Sequence, residues 1–132
     1  MTRTDARELL MQMLYSMKIQ EDYSKEAKET FVSHAVPLGD QQDYFNKMYD
    51  VITEHLQDID DIYSAQDTKW KINRLSNVDL SIFRIAIAEI EYIDEIPDKV
   101  SINEAVDMAK KFSDEKSAKF INGVLGKIAK DL

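Results

Sequence analysis

Lysines and aromatic rings alternate near the end of this chain in an order that suits binding of an anionic polymer. Lys110, Lys111 and Phe112 are followed by Lys116, Lys119 and Phe120, with Gly123 and Lys127 beyond. On a helix turning about 100° per residue, Lys116, Lys119, Phe120, Gly123 and Lys127 share the side opposite an apolar stripe of Ala118, Ile121, Val124, Leu125 and Ile128. Lysines neutralise phosphates, and exposed rings give unpaired bases a face on which to stack; together they are the recurring equipment of single-stranded RNA binding. A second reading stays open on spacing alone: Phe120 folds over the edge of the core and the lysines only solubilise the helix. A weaker version of the pattern lies at the start, where Gln12 and Tyr15 point away from the apolar stripe and Arg3 and Arg7 precede them. There Asp5 and Glu8 interleave with the arginines.

Catalytic and metal chemistry find little support. The two histidines, His34 and His55, stand apart with no carboxylate or thiol at a useful spacing. Cysteine is absent, which removes disulfides and thiolate metal sites and is compatible with a reducing cytosol. Gly123 and Gly126 lack the preceding strand of a phosphate loop. The acids around Asp60 and Asp61 do not have the alternate ligands and central glycine of a calcium loop. Neither a cofactor nor a metal is expected.

The elements that must position these residues are helices. A length of 132 residues suits one domain with a core of its own, and three glycines and two prolines are too few for a turn-rich β fold. No apolar run approaches the ~18 residues that span a bilayer, and the start lacks the pattern of a signal or transit peptide. Apolar residues recur at helical spacing almost throughout. The expected helices cover about Thr4–Met17, with Thr4 as N-cap, then Lys25–Val36, Asp40–Leu56 and Ile59–Ala65. A turn or two follows near Trp70–Leu75. Val78–Ile90 is apolar on most sides, the mark of a central helix, and is expected to be the spine of the C-terminal half. Ser76-Asn-Val-Asp79 resembles a capping box that opens it. After Pro97, Ser101-Ile-Asn-Glu104 predicts a capping box with Val100 as a hydrophobic staple, opening a helix that ends near Phe112. Ser113 is expected to cap the last helix, with Asp114 and Glu115 at its positive end.

The net charge of −8 is unevenly spread. Residues 20–67 hold three bases against twelve acids, whereas residues 96–132 hold seven against six. A global negative charge weakens non-specific attraction to nucleic acid but leaves room for a local basic site.

Three stretches resemble the NusB family of bacterial transcription antitermination factors: residues 6–16 (ARELLMQMLYS), residues 78–89 (VDLSIFRIAIAE), and Ile96 through Ala129, with its Pro-x-x-Val-x-Ile-Asn-Glu-Ala run and its Lys-Phe-Ile-Asn-Gly-Val-Leu element. From about residue 20 to 65 the match is one of pattern only. The resemblance implies an all-α fold, a compact bundle of about seven helices in two small packed subdomains, about 1–58 and about 59–132. It implies a cytoplasmic, non-enzymatic adaptor that pairs with the ribosomal protein NusE. That pair binds boxA-type single-stranded RNA in nascent ribosomal transcripts and joins RNA polymerase and other Nus factors to suppress termination. Carried over position by position, it places Arg3, Arg7, Gln12, Tyr15, Phe112, Lys116, Lys119, Phe120 and Asn122 on the RNA side, and Asp79 and Arg84 on the NusE side. The chain departs from the family where many relatives carry consecutive arginines before the position of Ala6; only Arg3 and Arg7 remain. RNA binding by the isolated chain is therefore expected to be weak. Two alternatives differ in class: an RNA-recognition module like those of rRNA cytosine methyltransferases, which needs a fused catalytic domain and a nucleophilic cysteine, and a protein–protein scaffold with little RNA binding.

Overall fold

A computed structural model describes residues 1–131. Among them seven α-helices account for most of the chain and no strand occurs. They are α1 (Arg3–Gln20), α2 (Lys25–Ser33), α3 (Gln42–Glu54), α4 (Leu56–Ser64), α5 (Asn77–Tyr92), α6 (Asp98–Phe112) and α7 (Glu115–Asp131), with single 3₁₀ turns at Gly39–Gln41 and Ile72–Arg74. The all-α expectation holds.

Helix α5 is apolar around most of its circumference, so it can bury every side only by lying at the centre. Leu80, Ile82, Phe83, Ile85, Ala86, Ile87 and Ala88 are all buried. It packs against α1, α3, α4, α6 and α7, so it is the spine of the whole molecule rather than of its C-terminal half. One continuous apolar cluster runs from Ala6 and Leu10 on α1 through Phe45, Met48 and Ile52 on α3 to Ile121, Leu125 and Ile128 on α7. Helix α2 contributes no fully buried residue and rests on the core through half-buried Ala27, Phe31 and Val32.

Several helix starts differ from the sequence expectation, each for a local reason. Helix α1 is capped by Thr2, not Thr4: Thr2 Oγ1 accepts from the Asp5 N–H at 3.0 Å, and Asp5 Oδ2 accepts from the Thr2 N–H at 3.2 Å. Thr4 instead donates to Glu104 Oε1 at 2.8 Å. Ser76 caps α5 by accepting from the Asp79 N–H at 3.1 Å, but the Asp79 carboxylate turns away from the cap, so half of the box forms. Helix α6 begins a turn early, directly after Pro97, because proline at a helix entry sacrifices no hydrogen bond. Ser101 and Glu104 therefore lie inside α6, free to face neighbouring helices, and Val100 is left 40% exposed rather than stapled. At α7 the cap is Asp114, whose Oδ1 accepts from the Ser117 N–H at 2.7 Å. The Ser113 side chain caps no backbone N–H of α7; its Oγ donates to Ser117 Oγ at 3.0 Å.

Candidate nucleic-acid interface

The segment between α4 and α5 and the first turn of α7 enclose a cavity of about 270 Å³. Trp70 stands on its rim, 44% exposed. The backbone beneath the indole is held from two sides: Tyr63 Oη and Thr68 Oγ1 both donate to the Trp70 carbonyl, at 2.6 and 2.7 Å. Lys69 Nζ lies 5.5 Å from the indole centroid, a cation–π distance. Arg74 enters from the 3₁₀ turn and Lys116 from α7. Phe120 is half-buried and meets the buried Phe83 edge to face, centroids 5.9 Å apart at 86°. The Phe120 ring thus packs over the core edge and also lines the cavity. Asp79, 8% exposed, lines the cavity too. Its Oδ2 accepts from Ser117 Oγ at 3.0 Å, and its Oδ1 is buried without a hydrogen-bond partner.

The lysine-and-ring face expected on α7 divides in two. Lys116 and Phe120 border the Trp70 cavity, while Lys119 and Asn122 open onto a groove of about 490 Å³ between α6 and α7, beside Lys110 and Asn103. Positions 119 and 120 are about 100° apart around the helix, enough to separate them across a ridge. Phe112, half-buried at the end of α6, has Lys111 Nζ 5.4 Å from its centroid. Lys111 itself reaches Glu8 Oε1 at 2.5 Å, tying α6 to α1.

On α1, Gln12 and Tyr15 are exposed, as a solvent-facing pair of positions should be. Arg3 is also exposed; its guanidinium sits 4.1 Å from the Tyr44 centroid, and its Nε donates to Gln41 Oε1 at 2.5 Å. Arg7 is 2% exposed. Its Nε and Nη2 donate to Glu89 Oε2 and Oε1 at 2.8 and 3.0 Å, and Nη1 donates to Glu104 Oε1 at 3.1 Å. Tyr44 Oη and Ser101 Oγ complete the shell of Glu89, at 2.5 and 2.7 Å. Burial is the largest single influence and opposes the Arg7 charge, but the hydrogen bond to Glu89 and the surrounding charges, those of Glu89 and Glu104 among them, together outweigh it and raise the guanidinium pKa. Burial, reinforced by the charge of Glu89, pushes the Tyr44 phenol well above its ordinary range. An arginine this enclosed, with three of its five N–H groups bonded to carboxylates, is a tie between α1, α5 and α6.

The two positions assigned to partner contact are likewise not free charges. Arg84, 6% exposed, donates from Nε and Nη2 to Asp60 at 3.0 and 2.9 Å, and from Nη1 to Tyr23 Oη at 2.8 Å. That arrangement clamps α4 and the connection between α1 and α2 onto α5. Asp79 belongs to the Trp70 cavity. Conversely, Lys69, Trp70 and Arg74 join the cationic aromatic surface although the sequence reading took their segment only as a turn. The alternation in Lys69-Trp-Lys71 with Arg74 close behind was the available signal. Among the described residues no group of three or more His, Asp or Glu side chains is placed to hold a metal ion, and no helix is long and apolar enough to cross a membrane.

Comparison with known proteins identifies the family. The NusB family model matches residues 4–130. The transcription antitermination protein NusB of Lachnoclostridium phytofermentans is 41% identical over 130 residues, covering 97% of this chain and 98% of the relative. That of Listeria monocytogenes is 40% identical, covering 98% and 97%. Among solved structures, T. maritima NusB superposes with a TM-score of 0.87 at 32% identity, covering 99% of this chain and 92% of that one. A structure of the antitermination factors NusB and NusE in complex with dsRNA also superposes with a TM-score of 0.87, at 28% identity and with 98% and 97% covered. Matched over nearly its full length in both sequence and backbone, this chain belongs to the NusB family.

Proposed function

We infer that this chain is a transcription antitermination factor, a cytoplasmic and non-enzymatic adaptor that pairs with NusE and binds boxA-type single-stranded RNA in nascent ribosomal transcripts, within a larger assembly of Nus factors and RNA polymerase. The observation that carries the reading is the full-length match to antitermination proteins of about 40% identity, together with a solved relative bound to NusE and RNA. The surface chemistry supports it. On a chain of net charge −8, exposed Lys116, Lys119 and Asn122 flank half-buried Phe112 and Phe120, and Arg3, Gln12 and Tyr15 add an exposed stretch of α1. Arg7 and Arg84 serve this surface indirectly, by fixing the helices that present it.

With Arg7 enclosed, Arg3 is the one exposed arginine of α1. Each phosphate contact contributes about 0.7 to the slope of log K against log salt for single strands, so a short list of contacts gives a shallow slope. Weak RNA binding by the chain alone and a marked gain with NusE are expected. A salt titration of boxA-type RNA binding, with and without NusE, checks this; tight and steeply salt-dependent binding by the chain alone would contradict it. Failure of the chain to bind RNA in either condition would remove the functional reading itself.

A further inference from the structure

We propose that the trough between α1 and α2 docks a basic amphipathic helix of a protein partner, on a flank turned away from the cationic aromatic face.

Of the seven helices, α2 alone has no fully buried residue, so its apolar side is only half used. Ala27 and Phe31 rest on the core yet also line a groove of about 550 Å³, together with Leu9 of α1 and Ala35 beyond the end of α2. A second opening, of about 430 Å³, shares Leu9 and Gln12 with the first and adds Pro37 and Val36, the latter 66% exposed. The two form one trough along α1. From Asp5 to Gln20 that helix advances about 23 Å at its ordinary rise, the length of about four turns of a partner helix. An apolar groove of this length is the form in which an amphipathic helix is recognised.

The rim selects the sign of the partner's charge. Asp5 and Glu8 line one opening, and Asp22 and Glu26 the other. Glu8 is answered by Lys111. Among the described residues no lysine or arginine lines either opening, and none pairs with Asp5, Asp22 or Glu26. Asp5 and Asp22 accept backbone N–H bonds from Thr2 and Ser24, which leave their charge uncancelled. Lys28 turns instead to the Tyr49 ring, 4.9 Å from its centroid. Carboxylates beside an apolar floor complement lysines or arginines that flank an apolar stripe, and they repel phosphates. Direction separates the trough from the RNA side as well. Leu9, Ser16 and Gln20 share one side of α1, and Tyr15 lies about 120° around from Leu9. Of the residues that the family resemblance places on the RNA side, only Gln12 borders the trough, on the ridge between the two flanks.

The test uses the full chain and a labelled synthetic peptide, a helix with a leucine stripe flanked by lysines. One control peptide carries glutamates in place of the lysines; the other has the same residues in an order without a stripe. Anisotropy gives affinity, and amide shifts in the isotope-labelled chain give position. Saturable binding of the lysine peptide is expected, with shifts centred on Leu9, Ser16, Gln20, Ala27 and Phe31, undiminished by boxA-type RNA and NusE. Glu26→Lys, at an exposed rim position, should weaken binding about fivefold or more. Glu29→Lys, an equal change of charge on an exposed residue outside the trough, should leave it nearly unaltered at physiological salt. Equal weakening by both variants would reduce the effect to net charge and overturn the site. Shifts outside the trough, equal binding of either control peptide, or displacement of the peptide by RNA or NusE would overturn it too. Shifts along the trough that grow with chain concentration and need no peptide would overturn the choice of occupant in favour of a second copy.

Discussion

At the residue scale, the change of most consequence is at Arg7. The family resemblance implies an RNA-side role for it, yet in the fold it makes three hydrogen bonds to Glu89 and Glu104 and is 2% exposed. Removing one member of a buried ion pair strands the other in a low-dielectric interior, typically at about 3–5 kcal/mol. Arg7→Ala is therefore expected to lower stability by about that amount in urea unfolding, while the fraction that remains folded keeps its RNA affinity. A variant that stays stable but loses RNA binding would return Arg7 to the interface. The sequence alone did not disclose this role, since the carboxylates that enclose Arg7 lie 82 and 97 positions away. Asp79 shows the same effect: its carboxylate neighbour is Ser117, on another helix.

At the element scale, the apolar stripes were legible and the helix ends were less so. Ala6, Leu10, Met13, Leu14 and Met17 on α1, and Ala118, Ile121, Val124, Leu125 and Ile128 on α7, are buried as their spacing required. Start signals were ambiguous because several candidate caps stand within one turn of each other. Thr2 competes with Thr4, Ser113 with Asp114, and Pro97 with Ser101. The choice at α7 gives a direct test. Replacing an N-cap residue by alanine costs about 0.5–2 kcal/mol, so Asp114→Ala should lower the melting temperature by several degrees. Ser113→Ala, which removes only an exposed side-chain bond, should stay within about 0.5 kcal/mol of the parent. The early start of α6 also has a structural result, because it places Ser101 and Glu104 within the helix, where they bind Glu89 and Arg7.

At the scale of the whole molecule, α5 joins what would otherwise be separable halves. It touches helices from both ends of the chain, and the buried cluster passes through it without a break. Whatever division falls near residue 58, where two subdomains are expected, the whole is thus proposed to behave as one cooperative unit. Urea unfolding should give coincident transitions by far-ultraviolet circular dichroism and by Trp70 emission. Separate midpoints would show the halves unfolding independently. The surface charge also makes sense only at this scale. The acids of residues 20–67 and the lysines after residue 96 lie in different stretches of the chain, so a net charge of −8 coexists with a basic aromatic face.

The sequence by itself determined the helical class, the buried stripes, the apolar central helix and the family likeness, because these follow from short-range periodicity and from motifs contiguous in the chain. Only the tertiary structure decided which charged groups are interior ties and which face solvent, because an arginine and its carboxylate can be brought together from any sequence distance. It also decided that Lys116 and Phe120 look onto one cavity and Lys119 and Asn122 onto another, since a ridge between two openings depends on what packs on each side of α7. And it brought Trp70 to that cavity from a segment with no regular period, where the only local clue was a tryptophan between two lysines.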